Sequence, residues 1–374
     1  YSHGAGNFFN VDSYAGIDYG DIPSYTSDVT GEKFELRDCL DFRPRVDNAS
    51  TINAGDGQDR QYIGTGASSI EFAKFNSDIT ADLEFYLARK AKLFLTANGQ
   101  YEFDFAYADV LTMADRFVLW RLLTKEIARR HGWEATFMPK PYIDRAGSGA
   151  HFNMSLTSLE TGKNISGDSR DPRGCGLSKV AYQFLGGIKK HAKAIVATTC
   201  PTVNSYKRLV KTGSMTGYTW APVFISYGGN NRTHMLRVPK LRPEVEGAAN
   251  PDEGAYLSSA RWECRAVDTA MNPYLAAAMM LGAGLNGIEQ DLDPGDPLDI
   301  NMYEQSDEQL EQEKVELLPR TLLEAIEAFD ADPLAEQVLG AELKKSYVDL
   351  KSDEWWDFHN QVSSWEIDKY LTKF

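Results

Sequence analysis

Apolar positions follow two different rhythms along this chain. Up to about residue 98 they come in short runs such as KFEL and QYIG, separated by turn-forming clusters such as GDGQD, and that texture predicts a β-rich segment. The run ITADLEFYLARKAKLFL is apolar on an ambiguous period that fits two strands or one helix equally. From about Gly99 the apolar residues recur three and four apart. In ADVLTMADRFVLWRLLTKEIARRHG this spacing predicts a helix that carries Val110, Met113, Phe117, Trp120 and Leu123 on one face and ends at Gly132. GLSKVAYQFLGGIKKHAKAIVATT and the small-residue-rich TAMNPYLAAAMMLGAGLNGI predict two more helices, the latter buried, and the tail predicts at least two further ones, in LPRTLLEAIEAF and SDEWWDFHNQVSSWEIDKYL. EATFMPKP, AHFNMSL, VFISYGG and HMLRVP read as strands between them. The whole predicts an α+β unit over 99–374 preceded by a β-rich segment over 1–98.

Charged positions break the apolar pattern most sharply between Asn204 and Arg265. Arg208, Arg232, Arg237, Arg261 and Arg265 surround Glu263 on segments otherwise rich in Val, Phe, Ile, Tyr and Trp. In RWECR the three charges are two apart, so an extended strand would turn Arg261, Glu263 and Arg265 to one face. Rigid guanidinium forks suit carboxylates and phosphates. Burying two such cations around one carboxylate is costly unless an anion or a metal completes the set. A surface strand with a solvated charge face would account for the same alternation.

Composition narrows the partners. The chain has 374 residues, enough for two or three domains, and its formal net charge of −15 is weighted toward the C-terminus. That sign argues against a nucleic-acid partner, whose binding is driven by basic surface, and a locally basic site in an acidic chain suggests small anions as ligands. Cys39, Cys175, Cys200 and Cys264 follow no zinc or redox spacing and read as reduced thiols of a cytoplasmic protein. No apolar run approaches the roughly 18–20 residues of a membrane span, and no signal-peptide pattern is present, so no membrane partner is expected. The chain begins at Tyr1 rather than Met, and an N-terminus ahead of it is expected.

Taken in order, FMPKPYIDRAGSGAHFNMSL, GGIKKHAKAIVATTCPTVNSYKRLV, GGNNRTHMLRVP, RWECR and MNPYLAAAMMLGAGLNGI resemble the catalytic domain of glutamine synthetase, from about Gly99 to Phe374. The resemblance implies an antiparallel sheet flanked by helices. It also implies ATP-dependent ligation of ammonia to the γ-carboxylate of L-glutamate through γ-glutamyl phosphate, Mg²⁺ or Mn²⁺ as cofactor, and a homo-oligomeric ring. By the same resemblance Glu102 of GQYE would ligate one divalent cation, and His151 with Glu263 the other. Mixed imidazole and carboxylate ligation suits such ions held against substrate phosphates. Gly147 would lie beside the amino-acid substrate, where a missing side chain admits close approach. Arg208 and Arg265 would clamp the carboxylates of glutamate. Arg232, Arg237 and Arg261 would hold the ATP phosphates, with Arg232 acting on the phosphoryl group in flight. Asn153 stands where the family carries a second histidine toward the nucleotide, Ser155 follows it, and Ala146 replaces a common Asn. Tyr303 aligns with the tyrosine that some bacterial members adenylylate; that regulation is not expected here.

The sequence departs from the family in two places. GYTWAP, with Thr219 and Trp220, replaces the family's GYEAP, a change that resembles the type III glutamate-ammonia ligase branch overlapping γ-glutamylmethylamide synthetase. An indole face at the amine pocket attracts an alkylammonium ion, so methylamine joins ammonia as a candidate substrate. The family's front is also missing. Phe94 stands eight residues ahead of Glu102, where a further metal glutamate is expected. Asp82 and Glu84 in DLEFYL imitate the family's ExE pair, but only 18 residues separate Glu84 from Glu102, and the likeness reads as chance. ELRDCLDFRPRVDN and DLEFYLARK resemble a segment of structural tail proteins of contractile-tailed bacteriophages. Together these departures imply a chimera truncated at its front, with weakened metal binding and ring assembly. The rival expectation is a non-catalytic, phage-related structural or binding protein that carries a synthetase remnant.

Overall fold

The computed structural model describes strand segments 5–11, 24–26, 33–35, 91–95 and 100–105, and residues 107–130, 133–142, 147–211, 221–240 and 257–374. The chain divides into two compact units, Tyr1–Phe137 and Met138–Phe374.

The first unit holds strands β1 (Ala5–Val11), β2 (Ser24–Thr26), β3 (Lys33–Glu35), β4 (Ala91–Leu95) and β5 (Gln100–Phe105), helix α1 (Val110–Arg130) and strand β6 (Trp133–Thr136). β4, β5, β1 and β6 form an antiparallel sheet in that order, and β2 pairs with β3. The ambiguous apolar run is therefore strand over Ala91–Leu95; the rest of it, with Asp82 and Glu84, lies outside the described residues. α1 buries Trp120 completely, with ring centroids 5.2 Å from Phe103 and 5.0 Å from Phe137. Its buried stripe runs through Ala114, Phe117, Trp120, Thr124 and Ile127, whereas Val110 is 47% exposed and Met113 and Leu123 are half-buried. The stripe is displaced from the expected one because this helix is apolar on more than one side, with Leu111 and Leu122 exposed, so periodicity alone does not select between neighbouring stripes.

The second unit holds β7 (Phe152–Met154), α2 (Lys179–Lys190), α3 (Ala192–Thr199), β8 (Tyr227–Gly229), β9 (Leu236–Val238) and β10 (Trp262–Cys264). Helices α4 (Pro273–Glu289), α5 (Asp307–Gln312), α6 (Leu322–Ala331), α7 (Pro333–Leu339), α8 (Ala341–His359) and α9 (Ser364–Tyr370) follow. The sheet order is β7, β10, β9, β8, and it is mixed rather than the antiparallel sheet expected: β8 and β9 run parallel. Asn230 closes the end of this pairing. It takes φ of 52°, a left-handed conformation that Asn tolerates, and donates its N–H to Val238 O at 2.6 Å, at the end of the parallel ladder.

α2 and α4 pack backbone to backbone. A Cβ on Gly187 would stand within 2.8 Å of Gly287 N, so the small residues read from the sequence are what let the helices meet. The run expected as one helix is broken at His191, whose φ of −98° and ψ of 10° end α2. Its ring bonds to Asp332 Oδ2 at 2.7 Å and Asn286 Oδ1 at 3.0 Å, contacts that a straight helix would not make for it. The tail expected as one helix is likewise two: Ser363 and Glu366 form a capping box that starts α9 afresh. Among the described residues no helix is long and apolar enough to cross a membrane, and Cys175, Cys200 and Cys264 are free thiols.

Candidate active site

β10 is the strand from which the site is built. Trp262 and Cys264 are fully buried, Trp262 against Phe184 with ring centroids 4.9 Å apart. Glu263, between them, is also fully buried, which excludes the solvated surface strand. The register sets Glu263 opposite Arg237 on β9 and Asn153 on β7. Arg237 Nη1 donates to Glu263 Oε2 at 2.6 Å, and Arg265 Nη1 donates to Glu263 Oε1 at 2.6 Å from two positions along the same chain. His151 Nδ1 lies 3.2 Å from Glu263 Oε1. Arg237 Nη2 also donates to Asn230 Oδ1 at 2.7 Å, and Arg261 Nε to Asn153 Oδ1 at 3.3 Å.

Positive charge outweighs negative charge here. Burial depresses the Arg265 pKa, the Glu263 carboxylate opposes that, and the guanidinium groups of Arg237, Arg232 and Arg208 depress it further. Arg208 and Arg237 are 6% and 5% exposed. Arg208 Nη1 and Arg237 Nε are buried without a hydrogen-bond partner among the described residues. Buried donors without acceptors are costly, and an anion inserted among them would relieve that cost.

A glycine turn shapes the far side. Ser148 N donates to Pro139 O at 2.8 Å and Ala150 N to Val267 O at 3.0 Å, while Gly149 bridges Asp268. A Cβ on Gly147 would lie 2.5 Å from Pro139 O and 3.0 Å from Arg208 Cδ, and one on Gly149 would strike the Arg208 guanidinium itself. Both glycines are thus the surface on which Arg208 rests. Arg208 follows a short 3₁₀ turn, Ser205–Lys207, and Asn204 before it holds Lys140 through both its side-chain oxygen and nitrogen, at 2.7 and 3.0 Å.

His151, Asn153, Arg208, Arg237, Arg261, Glu263 and Arg265 are therefore linked through the sheet and the glycine turn, and the charge of Arg232 is felt at Arg265. Ser155 sits half-buried just past β7. Glu102 lies on β5 in the first unit, its side chain outside the described residues; Trp220, Thr219 and Ala146 also fall outside them. Tyr303 donates its hydroxyl to Ala221 O at 3.1 Å. Sequence reasoning missed Gly149 and the fully buried Asp268. The first was legible as the second glycine of GSG, and the second as an acid set in the apolar run AVDTAM.

Among the described residues no three His, Cys, Asp or Glu side chains converge as a metal site. His151 and Glu263 form a donor pair, but both Glu263 oxygens already accept from arginine. The pair fits a divalent cation only together with an anion that takes over the guanidiniums, as a phosphate does. A separate cavity of about 330 Å³, lined by Asp171, Arg173, Lys179, Tyr182 and Asp293 among others, includes none of these residues. Both of its cations are already paired, Arg173 with Asp293 at 2.6 Å and Lys179 with Asp291 at 2.9 Å.

Residues 44–370 match the family described as "Glutamine synthetase, catalytic domain". The chain is 40% identical over 278 residues to a glutamate–methylamine ligase of Methyloversatilis universalis, covering 74% of this chain and 58% of that protein. It is also 40% identical over 278 residues to a glutamine synthetase of Halobacterium salinarum, covering 74% of this chain and 56% of that one. The chain thus spans a little over half the length of these curated relatives. Among solved structures it is similar to one described as a GmaS/ADP complex, with a TM-score of 0.69 and 36% identity over 86% of this chain and 70% of that chain.

Proposed function

The chain belongs to the glutamine synthetase family, and on that premise we propose that its second unit binds ATP and L-glutamate and ligates an amine to the γ-carboxylate through γ-glutamyl phosphate. The observation that carries this reading is the cluster of guanidiniums from Arg208, Arg232, Arg237 and Arg265, which act on one another and two of which, Arg237 and Arg265, bond the buried carboxylate of Glu263. Such a site is built for more than one anion at once. Arg208, resting on the Gly147–Gly149 turn, orients a carboxylate of glutamate, with Arg265 beside it. Arg237 and Arg261, fixed by Asn230 and Asn153, hold nucleotide phosphates. Arg232 meets the phosphoryl group as it transfers, where negative charge grows on the equatorial oxygens.

His151 and Glu263 are the residues of this unit that would hold a divalent cation, Mg²⁺ or Mn²⁺; by the family resemblance Glu102 would ligate a separate one. When bound, the ion neutralises phosphate charge. The amine is ammonia or methylamine. Trp220 in GYTWAP, together with the likeness to a glutamate–methylamine ligase, supports methylamine.

The test is phosphate release from ATP by the purified chain with glutamate and Mg²⁺, ammonia and methylamine being supplied in parallel. Turnover with both substrates required is the expected result, with the higher kcat/KM on methylamine. A folded chain that binds neither nucleotide nor glutamate by calorimetry would overturn the reading and favour a non-catalytic binding protein.

A further inference from the structure

Asp268 plays no part in the site as described so far, yet it lies where three of the site's supports meet. Its Cα bridges Gly149 of the glycine turn. Its N–H donates to Thr199 O at 3.0 Å, at the end of α3. Its Oδ1 accepts from Ala270 N at 2.9 Å, which fixes the side chain. The residue is fully buried, and Oδ2 has no hydrogen-bond partner among the described residues. Arg208, buried across the same glycine, leaves Nη1 in the same condition.

Two buried groups of opposite charge, each with an unsatisfied atom, are thus held on either side of Gly149. A carboxylate buried only for packing would be replaced by an apolar residue at little cost. One that faces an arginine without closing on it leaves the forked end of that arginine available to another acceptor. We propose that Asp268 is a positioning residue for glutamate: its charge holds Arg208 against the Gly147–Gly149 turn in the orientation that receives the amino acid's carboxylate. This rests on the reading of Arg208 as a glutamate clamp.

Burial raises the Asp268 carboxyl to about 6, against the pull of the Arg208 guanidinium and the Ser205 hydroxyl, so it is charged at neutral pH and coupled to that arginine. The groups that act on it, Arg208, Ser205, Ala270 N and Cys200, all belong to the glutamate end of the site or to the core behind it.

The experiment compares Asp268→Asn, Arg208→Lys and the double variant with the wild-type chain, measuring glutamate and ATP binding separately by calorimetry at pH 7.5. Asn keeps the acceptor for Ala270 N and removes the charge. Loss of about tenfold or more in glutamate affinity with ATP affinity within twofold is the expected result, the double variant losing no more than Arg208→Lys alone, because residues that act through one another are not additive. Equal losses for both ligands, or additive losses, would make Asp268 a packing residue and overturn the proposal. Unchanged glutamate binding in Asp268→Asn would overturn it while leaving the clamp reading intact. A wild-type chain that binds ATP but no glutamate would overturn both. Should Asp268→Asn fail to fold, Ser205→Ala touches the same carboxylate, and a selective loss of glutamate affinity of about threefold is expected; equal effects on both ligands would again overturn the proposal.

Discussion

Arg237 and Glu263 stand directly opposite each other on adjacent antiparallel strands, and the guanidinium closes the 2.6 Å gap to Oε2 in a wholly buried setting. With Arg265 on the other oxygen, Glu263 is the counter-ion of two arginines before it is anything else. Removing it leaves two buried cations uncompensated, a loss of about 3–5 kcal/mol where one partner of a buried pair is deleted. Glu263→Ala is therefore expected to lose at least about 3 kcal/mol in urea unfolding. Inorganic phosphate should restore more stability to it than to the wild-type chain, since the freed guanidiniums accept an anion. A loss below about 1 kcal/mol would mean the arginines find other partners.

The glycine turn makes a sharper claim. Gly149→Ala places a methyl group against the Arg208 guanidinium, and Gly147→Ala places one 2.5 Å from the Pro139 carbonyl, which cannot swing aside. The first should cost glutamate affinity by about tenfold with little change in melting temperature, because the obstacle is the far end of a side chain. The second should destabilise the fold by about 1–3 kcal/mol, the range for overpacking. Binding calorimetry and thermal melts on the two variants separate these outcomes.

Much of this was legible in the residues themselves. RWECR announced that Arg265 and Glu263 share a face, since period two admits no other arrangement on a strand. The PYLAAAMM helix starts at Pro273 with Asn272 as its cap, which accepts from Tyr274 N and Leu275 N, as the Asn-Pro pair advertises. What was not legible depended on partners remote in sequence. The break at His191 is set by Asp332, 141 residues away. The parallel pairing of β8 and β9 joins strands whose local sequence gives no sign of their relative direction. The polarity of Asp268 says nothing of Arg208 until the glycine turn brings them to opposite sides of one residue.

The His191–Asp332 pair carries a pH signature. Burial by itself would lower the His191 pKa, but the hydrogen bonds to Asp332 and Asn286 and the Asp332 charge outweigh it and raise the value. Burial by itself would raise Asp332, and the bonds from His191 and from Leu334 N outweigh that and lower it. A raised histidine contributes stability that is full below its unfolded value of about 6.5 and is lost as pH rises through the folded value. A lowered aspartate contributes stability present above about 3.9 and lost as pH falls. The brace should be strongest between about pH 4 and 6.5. His191→Gln is accordingly expected to lower the melting temperature by several degrees at pH 5.5 and by less at pH 8.5. A difference that grows with pH would contradict the pairing.

Asp268 should display the opposite trade. Its folded value of about 6 lies above the roughly 3.9 of an unfolded aspartate. A group raised on folding contributes stability that is full below the unfolded value and declines as pH climbs through the folded one. The gap between those two values corresponds to about 3 kcal/mol, lost between about pH 4 and pH 6 and constant above. Asp268→Asn carries no charge to bury and escapes that decline. Relative to the wild-type chain, its unfolding free energy should therefore rise steadily from pH 4.5 to about 6.5 and then level off, leaving the variant as stable as its parent or more so at pH 7.5. Urea unfolding of both proteins at pH 4.5, 6 and 7.5 measures the difference directly. A difference that does not change with pH would show that burial does not raise the proton affinity of this carboxyl. One that widens in this way, beside a variant that has lost its hold on glutamate, would identify a charge kept at the expense of stability because Arg208 requires it.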